Sequence, residues 1–268
     1  MELLVGAKTD VGRVRKNNED NFLVMERPRL LLVADGMGGH ASGEIASRMA
    51  VDAIRNFFDE TGKKKGLQIG AYEEDYSEAT NRLGSAIRFA NMAVFEAAAG
   101  NPAWQGMGTT VVAALLSDHR LSIAHVGDSR LYLIRAGGIE QLTDDHSVVA
   151  EQVKRELISR EEAQKSEMKS ILTRALGTEA EVAVDLCEMT VSDEDILILC
   201  SDGLSNMVTD EEILSIASSS KDPDAACTAL VDLANGNGGK DNITVVTAYL
   251  LKEGWLSSLL KFFGWGRR

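Results

Sequence analysis

The order of apolar patterns along the chain limits the folds open to it. Short strand-like runs come first, two long helix-like segments follow, and then strand-like runs return. A strict alternation of strand and helix, the pattern of parallel sheets, does not occur. The block order therefore predicts an α+β fold in which helical layers cover largely antiparallel sheets.

The individual elements follow from periodicity and turn residues. Strands are predicted over residues 3–8, 21–26, 30–34, 109–116, 121–126, 130–135, 139–142, 182–189, 196–200 and 243–251. Helices are predicted over about 77–99 and along a face formed by Ile45, Met49, Ala53 and Phe57. Residues 147–182 are predicted to be helical. Two helices should follow residue 200, the second starting at Asp222-Pro223 and ending before Gly236.

Composition excludes several classes of protein. The chain has 268 residues, 44% of them hydrophobic, and a formal charge of −13, which argues against a general nucleic-acid binder. Three scattered cysteines form no C-x-x-C pair, so a disulfide framework or cysteine zinc site is not expected. No signal peptide and no apolar run of membrane-spanning length is visible. The predicted location is cytoplasmic.

Acidic residues recur beside the predicted buried strands. Asp35, Asp128 and Asp202 follow apolar strands, Asp241 precedes the last strand, and Glu19-Asp20 lies next to an early one. Each Asp-Gly pair taken singly is also compatible with a simple turn. The repeated placement instead favours carboxylates gathered at one rim of the sheets.

Gathered carboxylates either have raised pKa values or require cations. Two unit charges ~4 Å apart repel by ~4 kcal/mol at an effective dielectric near 20. Oxygen ligands without clustered His or Cys favour hard ions, Mg²⁺ or Mn²⁺. Two such ions activate a water for in-line displacement at phosphorus. Arg15 is the candidate phosphate clamp, and a surface arginine is the alternative interpretation.

Six motifs occur in the order and spacing of one known family. They are Gly12-x-x-Arg15-x-x-Asn18-Glu19-Asp20, Ala34-Asp35-Gly36-Met37-Gly38-Gly39-His40, Gly106-x-Gly108-Thr109-Thr110, His125-Val126-Gly127-Asp128-Ser129-Arg130, Ser201-Asp202-Gly203-Leu204 and Asp241-Asn242. The chain resembles the metal-dependent (type 2C, or PPM) protein serine/threonine phosphatases, in particular the compact bacterial members. Each motif alone is weak, but six in order are specific.

The resemblance implies a fold and a reaction. The fold is a four-layer α-β-β-α sandwich with two central antiparallel sheets. The catalytic domain covers residues 1–250, with a flap at about 147–172, and a basic amphipathic tail covers 251–268. The enzyme would hydrolyse phosphoserine and phosphothreonine by direct attack of a hydroxide that bridges two Mn²⁺ or Mg²⁺ ions.

Specific ligands follow from the resemblance for the two core ions. Asp35 would bridge them and the Gly36 carbonyl would ligate one ion. Asp202 and Asp241 would complete the other. These four residues form the implied core of the metal centre.

Further roles are implied around that core. Glu19 and Asp20 would ligate or hold waters on the Gly36 side, and Asp128 with Asp202 would form a third, weaker metal site. Arg15 would bind the substrate phosphate. His40 would contact the substrate or assist as acid, and the alternative is a loop histidine with a structural hydrogen bond.

Two segments depart from the family or extend beyond its pattern. Before Leu172 the flap carries Ser166-Glu167-Met168-Lys169-Ser170 in place of the usual His-Pro and Arg-Asn. The tail carries an apolar stripe flanked by cations, and either packs on its own domain or touches a membrane or partner weakly.

Alternative functions were weighed on the same residues. No cysteine is followed by arginine at the spacing of a cysteine-dependent phosphatase, and neither a G-x-S-x-G elbow nor a P-loop occurs. A non-catalytic phosphopeptide-binding domain of the same fold is the main competitor, but it would normally lose a core acid. The expected partners are phosphoproteins, among them a bacterial serine/threonine kinase and its targets, and the expected state is a monomer.

Overall fold

Two antiparallel sheets form the centre of the molecule. The computed structural model describes residues 1–38, 42–61, 67–166, 168–252 and 254. The first sheet contains β1 (Glu2–Asp10), β7 (Arg130–Arg135), β8 (Gly138–Gln141), β10 (Ile196–Cys200) and β11 (Ile243–Leu251). Its strand order is β1-β11-β10-β7-β8, so the first and last strands of the chain lie side by side.

The second sheet is built from the remaining strands. It contains β2 (Asp20–Met25), β3 (Arg29–Met37), β5 (Val111–Ser117), β6 (Arg120–Val126) and β9 (Asp185–Thr190), in the order β2-β3-β5-β6-β9. The short β4 (Gly108–Thr109) pairs with the end of β3. This sheet therefore supplies residues 20 and 35 to the same rim.

Alternate residues of the strands are buried on opposite faces. On β3, Leu31 and Val33 pack between the sheets, whereas Leu30 and Leu32 pack against helices. A strand that is buried on both faces appears in the sequence as a continuous apolar run, as residues 30–34 do. The two sheets thus share a core that includes Val112, Leu131, Leu199 and Val246.

Helices cover the outer face of each sheet. On the second sheet lie α1 (Ser42–Thr61) and α2 (Glu78–Gly100), and on the first lie α5 (Asp202–Ser205), α6 (Asp210–Ser219) and α7 (Pro223–Gly236). Two short helices, α3 (Val148–Lys154) and α4 (Arg160–Lys165), lie within residues 147–172, the predicted flap. The predicted α-β-β-α sandwich is confirmed.

The segment 147–182 differs from the prediction of a continuous helix. Glu156 has a φ of +58°, a conformation that ends α3. Ser159 then begins α4 with a capping box that involves Glu162. Residues 166–182 form no helix in the part described. Charged composition favoured a helix, but local serine caps divide the segment into two short ones.

Two other boundaries differ from the prediction. Three helices follow β10 instead of two, because Asp202 begins the single-turn helix α5 directly after the strand. Gly236 is the last residue of α7 and does not lie beyond it. None of the described helices is long and apolar enough to cross a membrane.

Candidate metal centre between the two sheets

Asp20 and Asp35 lie opposite each other on neighbouring strands. They are directly paired in the antiparallel register of β2 and β3. Asp35 and Gly36 continue β3 and do not form the turn that was the alternative interpretation, because the Thr110 amide donates to the Asp35 carbonyl at 2.8 Å. The Gly36 amide also donates to the Glu19 carbonyl at 3.2 Å. The strand backbone therefore fixes the positions of the Asp20 and Asp35 carboxylates.

Gly36 occupies a position where the backbone of another segment approaches closely. A Cβ at this residue would overlap the backbone carbonyl of Gly43, at the start of α1, and would crowd the Glu19 carbonyl. Only glycine fits this approach without moving α1. The absence of a side chain thus keeps the Gly36 backbone next to Glu19.

Asp202 lies near Asp20 and Asp35 but follows β10, a strand of the first sheet. It follows Ser201, whose Oγ donates to Asp20 Oδ2 at 2.8 Å and accepts from the Thr244 amide at 3.0 Å. Ser201 therefore links the end of β10 both to β11 and to β2 of the opposite sheet. The sequence motif contained this serine, but no pattern assigned it a function.

Asn242 organises the loop that carries Glu19. Its Oδ1 accepts from the Glu19 amide at 2.8 Å, and its Nδ2 donates to the carbonyls of Val11 and Asn17 at 3.0 and 2.9 Å. The residue is buried. Its preceding neighbour Asp241 is thereby held beside the loop of residues 11–19.

Arg15 is paired within the same cluster. Its Nη2 lies 2.6 Å from Asp241 Oδ2, and its side chain is 54% exposed. Burial opposes the charge of the guanidinium, yet the hydrogen bond and charge of Asp241 raise the pKa of Arg15. This arginine is thus held at the edge of the acid cluster and keeps access to solvent.

Asp128 joins the cluster through a turn after β6. Gly127 has a φ of +108°, and a Cβ there would overlap the side chain of Thr110. Thr110 Oγ1 accepts from the Asp35 amide at 3.1 Å and lies 2.7 Å from Ser129 Oγ. Thr110 therefore connects β3 to the turn that carries Asp128, a role that the sequence did not reveal.

The electrostatics show that these acids share one region. Burial first, and then the charges of neighbouring aspartates, raise the pKa of Asp35 well above its usual range. The same causes raise the pKa of Asp20 to about 7, of Asp202 to about 6 and of Asp128 to about 8. Such shifts mark carboxylates that are unfavourable as bare anions.

The donor set fits hard divalent ions. Each carboxylate here is a hard oxygen ligand, which suits Mn²⁺ and Mg²⁺. Asp20 Oδ1 is buried and finds no hydrogen-bond partner within the described part of the chain. A buried carboxylate oxygen without a partner is costly unless a cation or water completes it. The structure brings together five of the predicted acids, Asp20, Asp35, Asp128, Asp202 and Asp241. His40 lies outside the described residues.

A groove extends from the acid cluster along the flap. It has a volume of about 1210 Å³ and is lined by Asp128 and Asp202, by flap residues that include Ala150 and Lys169, and by Asn206. The groove therefore reaches two acids of the cluster, Asp128 and Asp202.

A second group of donor atoms lies close by and supports the turn at Gly127. His125, His146 and Asp185 bring their ligand atoms within 4.8 Å of one another. The two imidazole rings are stacked at 4.7 Å with an interplanar angle of 25°. Since a metal lies in the plane of each imidazole that binds it, stacked rings cannot both direct a lone pair at one ion. His146 Nδ1 instead accepts from the Gly127 amide at 3.0 Å.

The fold and an oxygen-only acid cluster between its sheets define the class of metal-dependent phosphatases. The family model described as protein phosphatase 2C matches residues 13–232. The chain belongs to this protein phosphatase 2C family. It is accordingly a metal-dependent protein serine/threonine phosphatase.

Named relatives agree with this assignment. The chain is 40% identical over 242 residues to the serine/threonine phosphatase stp of Listeria innocua, with 89% of this chain and 92% of that protein covered. The crystal structure of the Mycobacterium tuberculosis serine/threonine phosphatase PstP/Ppp is similar with a TM-score of 0.83 and 37% identity, over 93% of this chain and 99% of the other. A PstP catalytic domain in complex with two manganese ions has a TM-score of 0.80 and 36% identity, over 93% and 99%.

Proposed function

We propose that this enzyme releases phosphate from phosphoserine and phosphothreonine proteins with two Mn²⁺ or Mg²⁺ ions held by its acid cluster. The observation that carries the proposal is the convergence of carboxylates from both sheets, among them Asp20, Asp35 and Asp202, whose pKa values are raised. The PstP catalytic domain, which is similar over 93% of this chain, contains two manganese ions. The donor chemistry here suits the same ions.

Individual residues are assigned to the two core ions. Asp35 would contribute to both ions, the Gly36 carbonyl to one of them, and Asp202 and Asp241 to the other. The extended backbone of β3 and the start of α5, which fix Asp35, Gly36 and Asp202, support this assignment. When bound, the ions would lower the pKa of a water and so supply a nucleophile for phosphorus near neutral pH.

The outer ligands are assigned in the same way. Glu19 and Asp20 ligate or hold waters on the Gly36 side, supported by the unpartnered Oδ1 of Asp20 within the described residues. Asp128, together with Asp202, forms a third and weaker site. The charge of Asp202, after burial, raises the pKa of Asp128, which supports this pairing.

Arg15 binds the substrate phosphate. A guanidinium donates to two phosphate oxygens at once, and the bond to Asp241 keeps Arg15 within reach of the acids. His40 is assigned to substrate contact or to protonation of the leaving alkoxide. Because His40 lies outside the described residues, this role stays a prediction.

The partners and the limits of the domain are proposed from the sequence. Phosphorylated proteins are the substrates, and a bacterial serine/threonine kinase and its targets are the proposed physiological ones. The enzyme acts as a monomer in the cytoplasm. Residues 1–250 form the catalytic domain, with the flap at about 147–172. The tail 251–268 makes at most a weak membrane or partner contact. The tail lies outside the described residues apart from 251, 252 and 254.

Phosphate release from a phosphothreonine peptide tests the function. Activity should require Mn²⁺, be abolished by EDTA and fall by several orders of magnitude in Asp202→Asn. Asp232→Asn, an exposed aspartate on α7, is the matched control and should retain full activity. Activity that survives both chelation and Asp202→Asn would refute the metal mechanism. Manganese and phosphopeptide binding without turnover would instead identify a regulatory domain.

A further inference from the structure

A chain of hydrogen bonds joins the flap to Asp202. Lys169 Nζ, in the flap segment that departs from the family pattern, donates to Asn206 Oδ1 at 3.1 Å. Asn206 Nδ2 in turn donates to Asp202 Oδ2 at 3.0 Å. The flap is thus two hydrogen bonds away from an assigned metal ligand.

The direction of these two hydrogen bonds follows from the chemistry of the groups that form them. A lysine ammonium only donates and a carboxylate only accepts, so the amide of Asn206 has one orientation that satisfies both neighbours. The Asn206 backbone is held as well, because its amide donates to the Asp202 carbonyl at 2.8 Å. Asn206 therefore transmits the position of Lys169 to one specific oxygen of Asp202.

The bond leaves Asp202 able to bind an ion. A carboxylate offers about four lone-pair sites on its two oxygens, so Oδ2 can accept from Asn206 while the group ligates a metal. Hydrogen bonds of this kind orient a ligand, and their removal commonly costs 10–100-fold in metal affinity.

We propose that Lys169 and Asn206 are positioning residues that couple the flap to the metal centre, so that metal binding orders the flap and the Lys169–Asn206 contact favours metal binding. The inference rests on the proposed role of Asp202 as a metal ligand. It assigns a function to the part of the flap where this chain departs from the family. By thermodynamic reciprocity, whatever this contact contributes to metal affinity, the bound metal must contribute to the stability of the contact.

Amide hydrogen exchange of residues 168–173, measured with and without Mn²⁺ on the full chain, tests the coupling. We expect Mn²⁺ to slow exchange of this segment by roughly 5-fold or more in the wild type. Asn206→Leu, at Mn²⁺ concentrations that saturate it, should lose this protection. Its Mn²⁺ affinity by calorimetry should be about 10-fold weaker. This substitution changes no net charge, so the loss cannot come from a change of charge at residue 206.

Two lysines of the same groove provide a matched pair. Lys169→Met and Lys165→Met each remove one cation from the groove wall, but only Lys169 bonds to Asn206. Lys169→Met should abolish the protection by Mn²⁺, and Lys165→Met should keep it. The coupling would be overturned if Mn²⁺ protected the segment equally in wild type, Asn206→Leu and Lys169→Met. It would also be overturned if a wild type that binds Mn²⁺ showed no protection. A wild type that binds no Mn²⁺ would contradict the proposed function itself.

Discussion

Ser201 Oγ donates a hydrogen bond of 2.8 Å to Asp20 Oδ2, although the two residues are 181 positions apart. Asp20 belongs to β2 in one sheet, and Ser201 follows β10 in the other. The acids assigned to the metal ions therefore depend on how the two sheets pack together. Polar residues that contribute no ligand still fix where the ligands lie.

Removal of this hydroxyl should weaken metal binding. Ser201→Ala removes the hydroxyl that donates to Asp20 Oδ2 and leaves the Thr244 amide without this acceptor. We expect the Mn²⁺ affinity to fall about 10-fold and the free energy of unfolding to fall by about 1–3 kcal/mol. Calorimetric titration and urea denaturation measure the two effects. Ser205→Ala, at the end of α5, is the control, and equal affinities in both variants would contradict the role of Ser201.

The metal-free enzyme should lose stability as the pH rises. Burial raises the pKa of Asp20 to about 7, of Asp202 to about 6 and of Asp128 to about 8, whereas an unfolded aspartate titrates near 3.9. The folded state therefore binds more protons between about pH 4 and 8, and its stability falls across this window.

Other carboxylates do not reverse this trend in the same window. Burial acts to raise the pKa of Glu188, but hydrogen bonds from Ser77 and Thr80 together lower it to about 2. The stabilising contribution of this carboxylate is therefore complete above about pH 5 and is lost only in acid. Thermal unfolding in EDTA from pH 5 to 8 should show a falling Tm, and saturating Mn²⁺ should stabilise most at the high end. A Tm of the EDTA-treated protein that rises through this window would contradict the raised pKa values.

Arg15 should contribute mainly to substrate binding. Arg15→Ala removes a charge-assisted contact with phosphate, and kcat/KM for a phosphothreonine peptide should fall by about 10–100-fold. Arg15→Lys should recover only part of this loss because an ammonium lacks the fork of two parallel donors. Arg13→Ala, which removes a neighbouring exposed arginine, is the control. Comparable losses in the Arg13 and Arg15 variants would argue against a specific clamp.

The turn before Asp128 should tolerate no side chain. Gly127→Ala places a methyl group against Thr110 at a φ of +108° and should cost about 2–4 kcal/mol of unfolding free energy, from strain and overpacking together. Gly137→Ala, in the β7–β8 turn, is the matched control, because Gly137 also has a positive φ of +79° but faces open space. It should cost about 1 kcal/mol. Similar urea midpoints for the two variants would show that the contact with Thr110 is unimportant.

The sequence revealed the strands and the acids but not the residues that arrange them. Apolar runs such as 30–34 predicted strands because burial on two faces requires continuous hydrophobicity. Asp35 and Asp202 were found because they follow such runs. Ser201, Thr110 and Asn242 carry no periodic signal, and their hydrogen bonds join segments that are far apart in the chain.

The pairing of Arg15 with Asp241 was hidden for a related reason. It requires the loop after β1 to meet the loop before β11, a contact that only the completed first sheet provides. The prediction of a helix over residues 147–182 was wrong because the segment is rich in helix-forming charged residues, whereas Ser159 and Glu156 impose local ends that override composition. The gathering of the acids was predicted from the sequence, but the hydrogen bonds that arrange them were not.

The pairing of β1 with β11 also determines when the enzyme can form during synthesis. Residues 2–10 are synthesised long before residues 243–251, which are their sheet partner. Asp241, an assigned ion ligand, directly precedes that partner strand and follows the other assigned acids in the chain. Until residues 241–251 have been made, β1 lacks its neighbour and the assigned ion-binding residues are incomplete, so ion loading must follow the synthesis of this segment.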